Sequence, residues 1–348
     1  MTADAYRQVI AAEPRDRLDM FLATANRLGT LVGNVEKDFW VCWTLDVLYH
    51  RLPAGGPRLL FKGGTSLSKA YGLIRRFSED IDVTVFRDDL NEPASIEDLK
   101  RLSNKKRRIK LDAIRDACRA FIGGPLHDAL AAALREDTGG AGGIEIDTND
   151  PDGQTLLVRY PEVEPRNDAY VRPAVRIESG AKSALDPNRP ALISPYVADD
   201  APWLELAVPG ITTIEPGRTF WDKVVIAHGL RRWYERRGVL RQEGQRISRH
   251  YYDLHCLLGT EAGQAALSDG GLAADCVGHA RIFFNRPDFD LESAEPGSFA
   301  LAPVGGMVDA LRRDYENMAT MIFGTAPRFD IILTSVETLD ARINQGPG

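Results

Sequence analysis

The sequence is poor in the features that mark secreted, metal-clustered or membrane-spanning proteins. Four cysteines, Cys42, Cys118, Cys256 and Cys276, are scattered over 348 residues. They show no CxxC and no Cys/His metal spacing, so neither a disulfide framework nor a structural zinc site has a basis in the sequence. No run approaches the roughly 18 apolar residues that a membrane span needs, and Met1 to Asp19 is too polar for a secretory leader. The expected location is the cytoplasm, with no membrane contact. Positive charge is also in deficit. The 43 Lys and Arg against 50 Asp and Glu give a net charge of -7, which excludes a chain coated throughout in positive potential but leaves room for one basic face. Of the six histidines, His228 and His250 have no partner at metal-ligand spacing. No Ser/His/Asp order or Cys/His pair suggests covalent catalysis.

The chain has ordinary apolar content, 44% of its residues, and enough length for two domains. Glu36 to Leu52 is a dense apolar stretch long enough to predict a buried helix, ended by Pro53-Ala54-Gly55-Gly56-Pro57. Arg58 to Lys62 reads as a short buried strand, and Gly63-Gly64 follows at once. A helix is expected to open at Thr65 or Ser66, because Leu67, Ala70, Tyr71 and Ile74 recur at helical spacing. Phe77 to Phe86 alternates Ile81, Val83 and Val85 against Asp80, Asp82 and Thr84, the pattern of a strand with one buried face. Leu99 to Ile122 is a charged, helical stretch, and Asp137 to Gly143 reads as a glycine-rich loop. Gly143 to Asp147 and Thr155 to Tyr160 form a predicted hairpin about Asn149 to Gly153. Tyr170 to Glu178 is a further strand, and Leu185 to Leu206 reads as irregular. From Thr219 onward the periodicity is helical, in Thr219 to Arg237, Ser248 to Leu258, Gly305 to Phe323 and Ile331 to Ile343. The expected class is α+β in two domains, a catalytic domain over 1–215 with an N-terminal helical segment, and a helical domain over 216–348 that completes the active site.

Chemistry is concentrated in two motifs. Carboxylates at i and i+2 on a strand point the same way, roughly 6–7 Å apart at the backbone, so Asp80 and Asp82 are placed to share a hard cation. Upstream, Gly63 and Gly64 let the backbone approach an anion, the amides opening the next helix face it, and Ser66 offers a hydroxyl. Either motif alone is weak. An Asp-x-Asp is often a solvated strand edge, and Gly-Gly before a helix is often a plain turn. Their succession, strand, Gly-Gly-Thr-Ser, helix and strand with Asp-Ile-Asp, is far more specific, and it points to metal-assisted phosphoryl transfer. A third carboxylate is expected on a neighbouring strand, and Glu178 is the candidate, with an exposed pairing to Arg176 as the alternative. Lys223, early in an apolar helix, is a candidate cation for a triphosphate. Asp253 is a candidate acidic residue, and its alternative is a salt bridge to Arg249 or Lys223. Basic residues segregate into Lys100, Arg101, Lys105, Lys106, Arg107, Arg108 and Lys110, and into Arg231, Arg232, Arg236, Arg237, Arg241, Arg246 and Arg249. Two such stripes suit an RNA backbone, and solvated, neutralised helix faces are the alternative.

At these residues the sequence resembles the AbiEii/AbiGii toxins, nucleotidyltransferases of the DNA polymerase β-like superfamily that include MenT-like toxins of bacterial toxin–antitoxin and phage-defence systems. The segments that carry the resemblance are Lys37-Asp38-Phe39-Trp40, Phe61 to Lys69, Phe77 to Asp82, Phe220 to Lys223 and Arg249 to Leu254. It spans about Glu36 to Asn344. The resemblance implies a polymerase β-like catalytic domain with a mixed sheet, Mg²⁺ or Mn²⁺ as cofactor and an NTP as donor. It matches Ser66, Asp80 and Asp82 to the family's first motif, Lys223 to its phosphate-contacting lysine and Asp253 to its late acidic motif. Taken with the reading of the residues, the expected metal ligands are Asp80, Asp82 and Glu178, the expected nucleotide contacts Gly63, Gly64, Thr65, Ser66, Lys69 and Lys223, and the expected catalytic residues Asp80, Asp82, Glu178, Lys223 and Asp253. It further implies a cognate antitoxin and an RNA acceptor, the 3′ end of tRNA in some members. Arg87 to Arg172 matches no pattern of the family and leaves the acceptor open. Two competing readings are nucleotidylation of a protein hydroxyl, including the enzyme's own, and a non-catalytic module that binds a nucleotide or partner.

Overall fold

The computed structural model describes residues 2–163, 174–241, 246–319 and 321–345. In chain order, helices α1 (Thr2–Ala11), α2 (Pro14–Leu28) and α3 (Val32–Asp46) precede strand β1 (Leu59–Lys62), helix α4 (Gly63–Lys69) and strand β2 (Asp80–Val85). Helices α5 (Ile96–Arg101), α6 (Asn104–Phe121) and α7 (His127–Thr138) follow. Strands β3 (Gly143–Ile146), β4 (Thr155–Arg159), β5 (Ala174–Gly180), β6 (Asn188–Ile193) and β7 (Val208–Ile214) come next. Helices α8 (Pro216–Arg237), α9 (Ser248–Leu258), α10 (Glu261–Ser268), α11 (Gly270–Phe283), α12 (Gly306–Ala319) and α13 (Phe329–Gln345) close the chain. The class is α+β. Two compact units emerge, one of Met1–Ala70, Phe77–Ala94 and Leu102–Ile214, the other of Tyr71–Arg76, Ser95–Arg101 and Glu215–Gly348.

The first unit is organised by a mixed sheet. Among the described residues seven strands run in the order β3-β4-β5-β2-β1-β7-β6. Antiparallel β1 sets Lys62 against Asp82, and parallel β5 sets Arg176 against Asp80 and Glu178 against Asp82. The alternation expected in β2 is present, with Ile81, Val83 and Val85 buried and Asp80 and Asp82 half-buried on the other face. Thr84, expected to share the Asp face at the surface, is buried. Helix α3 lies against β5 and β7 and is enclosed along its length from Gly33 to Asp46. A π-helical turn, Val47–Arg51, carries it to the Pro53 stop, close to the predicted end.

Several local readings are corrected by pairing distant in sequence. Leu185 to Leu206 is not wholly irregular, because β6 pairs antiparallel with β7. Pro190 is tolerated there since β6 is the sheet edge, where a missing N–H need not break a ladder. The stretch from Asp137 does not begin a loop, since α7 runs to Thr138 with Leu130, Ala133 and Leu134 buried at helical spacing. Asp137 itself is a buried anchor. Its carboxylate accepts from Trp43 Nε1 at 2.8 Å, Arg7 Nε at 2.7 Å and Arg51 Nη2 at 2.9 Å, tying α1, α3 and the π turn to α7. The strand expected from Tyr170 is β5 from Ala174, and 170–173 lie outside the described residues.

The second unit is helical among its described residues, and its core is apolar. Phe220, Trp221, Val224 and Leu230 of α8 are buried, as are Tyr251, Leu254 and Leu257 of α9. Helix α8 packs on α9, α10 and α11, and α9 on α12 and α13. The boundaries expected for α9 coincide with those found. Helices α10 and α11, unread in the sequence, are capped by Thr260 and Asp269, whose side chains accept from Gly263 N and Leu272 N. The segment Tyr71–Arg76 joins this unit by a bridge between Arg76 and Ile322 and by Phe323 N donating to the Arg75 carbonyl at 2.8 Å.

Candidate active site

On one face of the sheet, Lys62, Asp82 and Glu178 form one row across β1, β2 and β5, and Asp80 and Arg176 form the next. Neighbouring strands are about 4.8 Å apart, so these side chains are mutual neighbours. Lys62 Nζ lies 3.9 Å from Asp82 Oδ1. The Gly63 turn closes over the row. Gly63 has φ +80°, and a Cβ placed there would stand 2.0 Å from Asp82 Oδ2, so only glycine lets the Asp82 carboxylate occupy this position. Thr65 fastens the turn to β2, since its hydroxyl donates to the Asp80 carbonyl and shares a 2.8 Å hydrogen bond with Ser78 Oγ. Lys37 of α3 pairs with Glu79 at 2.6 Å, fixing the residue before Asp80 from the other side.

Two turn residues are spent differently from expectation. Ser66, expected to reach a phosphate, is fully buried, and its hydroxyl donates to the Gly63 carbonyl at 2.9 Å, closing the turn. Gly64 and Thr65 are buried with it. Lys69, also expected at the nucleotide, is directed inward. Its ammonium pairs with Asp38, donates to the Ser194 carbonyl at 3.1 Å and sits 3.3 Å from the Tyr196 ring centroid. Burial opposes that charge, but Asp38 outweighs it and holds the Lys69 ammonium above its ordinary value. Lys69 therefore joins α4 to α3, an internal role that the sequence pattern alone does not separate from phosphate binding.

In the second unit, Asp253 is enclosed with Lys223 and Arg76. Arg76 grips the carboxylate with two parallel bonds, Nε to Oδ1 at 2.8 Å and Nη2 to Oδ2 at 2.9 Å, and Lys223 Nζ lies 2.8 Å from Oδ2. Burial raises the Asp253 carboxyl, but Arg76 and Lys223 together hold it well below the usual carboxylate range. Burial lowers the Lys223 ammonium, with Arg76 adding to the effect against Asp253. The salt bridge to Lys223 weighed in the sequence is present, and Arg76 is a partner that sequence reading missed. Nothing local marked it, because Arg76 and Asp253 are 177 residues apart.

The model of the family described as "Nucleotidyl transferase AbiEii toxin, Type IV TA system" matches residues 46–337. The chain belongs to this AbiEii family. It is thus a nucleotidyltransferase toxin of the type IV toxin–antitoxin class, and an antitoxin partner goes with that class. Among solved structures, MenT4, a nucleotidyltransferase toxin from Mycobacterium tuberculosis H37Rv, is similar at 16% identity and a TM-score of 0.43, covering 98% of this chain and 99% of that one. No curated protein matches the sequence.

Nucleotidyltransferases of this kind generally use an NTP and a divalent cation, and the AbiEii chain offers hard oxygen donors on adjacent strands at Asp80, Asp82 and Glu178. The space that a Cβ at Gly63 would fill is taken by the Asp82 carboxylate, and Lys62 beside it leaves a surplus of negative charge. The donor set fits a small divalent ion. Among the described residues, however, no three His, Cys, Asp or Glu side chains stand together as a formed metal cluster. Glu178 is turned to Arg176, at 2.6 Å.

The basic stretches differ in their use, and the first is divided rather than one helix: Lys100 and Arg101 lie on α5 and the rest on α6, with Arg101 near Asp98 and Lys110 paired with Glu92 at 2.6 Å. The α8 arginines of this AbiEii protein are committed within their own unit: Arg231 and Arg232 pair with Glu235, Arg237 with Asp288 and Arg236 with Asp290. Arg241 lies over the Trp233 and Phe289 rings. Neutralised helix faces, the alternative for this stripe, describe Arg231, Arg232, Arg236 and Arg237. In α6, by contrast, Lys105, Lys106 and Arg108 are exposed and have no ion-pair partner among the described residues. No helix among the described residues is long and apolar enough to cross a membrane.

Gly63 supplies a direct test of the site. Gly63→Ala is expected to lower kcat on the order of 100-fold, because the Asp82 carboxylate must move by ångströms. The left-handed backbone adds a stability cost of about 1–2 kcal/mol. Steady-state transfer kinetics beside a thermal melt check both, and wild-type kcat in the alanine variant would refute the close approach.

Proposed function

We propose that this protein transfers a nucleoside monophosphate from an NTP to an RNA acceptor, the 3′ end of tRNA, with release of pyrophosphate. The observation that carries the reading is the set of carboxylates on one face of adjacent strands, Asp82 beside Glu178 and Asp80 in the next row, with the Gly63 turn closing over Asp82. A bond forms between the acceptor 3′ oxygen and the α-phosphorus, the α–β bridging P–O bond breaks, and the electron pair leaves with pyrophosphate. A divalent cation, Mg²⁺ or Mn²⁺, held by Asp80, Asp82 and Glu178 would supply charge neutralisation at the transferring phosphate. Glu178 would accept the proton of the acceptor hydroxyl. Gly63 makes room for the Asp82 carboxylate, Gly63 and Gly64 are proposed to meet the triphosphate through the backbone that opens α4, and Thr65, Ser66 and Lys69 hold the turn from inside. Lys223 is the proposed phosphate-contacting lysine on the strength of its Phe220 to Lys223 motif, and Asp253 is its positioning residue. The unit boundary near Ile214 is proposed as the domain boundary, and the cytoplasm as the site of action, in phage defence.

RNA is favoured over a protein acceptor by α6. Basic side chains in a helix's first turn oppose the helix dipole, and α6 has no acidic residue in its first turn. Lys105 and Lys106, in that first turn, therefore do not serve helix stability, and with Arg108 one turn on they make an exposed cationic cluster that suits a phosphate backbone. The test is to incubate purified protein with each of the four labelled NTPs, Mg²⁺ and total cell lysate, then separate RNA from protein. Label in tRNA that disappears with Asp80→Ala is the expected result. Label confined to protein would overturn the RNA acceptor, and labelling undiminished in Asp80→Ala would overturn the site.

A further inference from the structure

Three carboxylates on one sheet face repel one another when no cation holds them, and the structure contains a counter-charge built among them. Arg176 stands on β5 two residues before Glu178, so the two side chains share a face, and its register partner on β2 is Asp80. Its Nη1 lies 2.6 Å from Glu178 Oε1, and its Nε lies 3.3 Å from Asp147 Oδ2. Asp147 is itself fixed, since its Oδ1 accepts from the backbone and side-chain nitrogens of Asn149 at 2.9 and 3.0 Å. The guanidinium is thus anchored at one end by the β3–β4 hairpin and holds Glu178 at the other. Its Nε is buried with no hydrogen bond of its own, so its stronger contact is the one to Glu178.

We propose that Arg176 is a positioning residue of this site, which holds Glu178 in the ligand-free protein and competes with the divalent cation for its carboxylate. The inference rests on the metal assignment made above. When the cation binds, Glu178 exchanges Arg176 for it, while Arg176 keeps Asp147.

Binding of Mn²⁺ alone, followed by the electron paramagnetic resonance signal of the free ion, tests the proposal without turnover. Arg176→Gln is expected to bind Mn²⁺ about fivefold more tightly than wild type, the scale of a half-exposed ion pair. A removed positive charge would also raise affinity non-specifically, so the decisive comparison is in the Glu178→Gln background, where Arg176→Gln is expected to change affinity less than about twofold. Arg176→Lys, which keeps the charge and loses the planar fork, is expected to give a smaller gain that also vanishes in that background. Unchanged or weaker Mn²⁺ binding in Arg176→Gln, or the same gain with Glu178→Gln present, would overturn the proposal. Asp82→Asn is measured alongside. If it leaves Mn²⁺ affinity unchanged, the metal assignment itself fails, whatever Arg176 does.

Discussion

Asp82→Ala is expected to lower kcat for nucleotidyl transfer on the order of 1000-fold or more, with the fold intact. Asp82 is the centre of the site. It stands between Lys62 and Glu178 in the sheet register, and the Gly63 turn closes against its carboxylate. Removing it withdraws one of two carboxylates that β2 alone can offer a cation, and Asp80 cannot substitute because it points from a different row. The stability cost is small by contrast. The neighbouring Lys62 ammonium is partly solvated at 3.9 Å, and an exposed pair of this kind contributes about 0–1 kcal/mol. Single-turnover kinetics and a thermal melt on the same preparation separate the two effects. Growth on induced expression gives a second readout, since wild type should arrest cells and the variant should not. A variant that remains toxic while folded would return the non-catalytic binding reading to the front.

Asp253→Asn is expected to have the largest effect on stability, a loss of about 3–5 kcal/mol. The carboxylate is fully enclosed and neutralises Arg76 and Lys223 at once. Asparagine keeps the volume and some hydrogen bonding but withdraws the carboxylate charge that the two buried cations share. A melting temperature lower by on the order of 10 °C is the expected reading. The pH dependence has a definite sign. Because the folded carboxyl is held below its ordinary value, its contribution is complete above the ordinary carboxylate range near ~4 and fades as pH falls through the folded value. The difference between wild type and Asp253→Asn should therefore be full at neutral pH and shrink only in strong acid. Adding Lys223→Met to Asp253→Asn removes one of the two cations that shared the carboxylate and should recover part of the loss. An asparagine variant that melts with wild type would show that the buried charges are compensated elsewhere.

How much of this was legible depended on how local the signal was. The Asp80, Asp82 alternation is written in consecutive residues, so its element and face could be read directly, whereas the helix expected to open at Thr65 or Ser66 and run past Ala70 is α4, which opens at Gly63 and ends at Lys69. The predicted bounds of α9 stand unchanged. Strand β6 was hidden by Pro190 and by a partner some twenty residues on, and only the sheet edge makes that proline acceptable. Helix α10 is short, and α11 is rich in Ala and Gly, which blurs its period. Among the site residues, Ser66 and Lys69 carried the right chemistry for phosphate. Their orientation was settled by the Gly63 carbonyl and by Asp38, neither of which the pattern weighs.

The sequence by itself determined that this is an α+β chain of the AbiEii type, with two strand carboxylates beside a glycine turn, because backbone period and short motifs are properties of neighbours along the chain. Only the tertiary structure decided which polar groups are free to act. Burial leaves each charge seeking the nearest counter-charge, however remote in sequence: Lys69 is taken by Asp38, Asp253 is shared by Arg76 and Lys223, and Glu178 is held by Arg176. That competition is set by distance in space, and a linear sequence does not contain it.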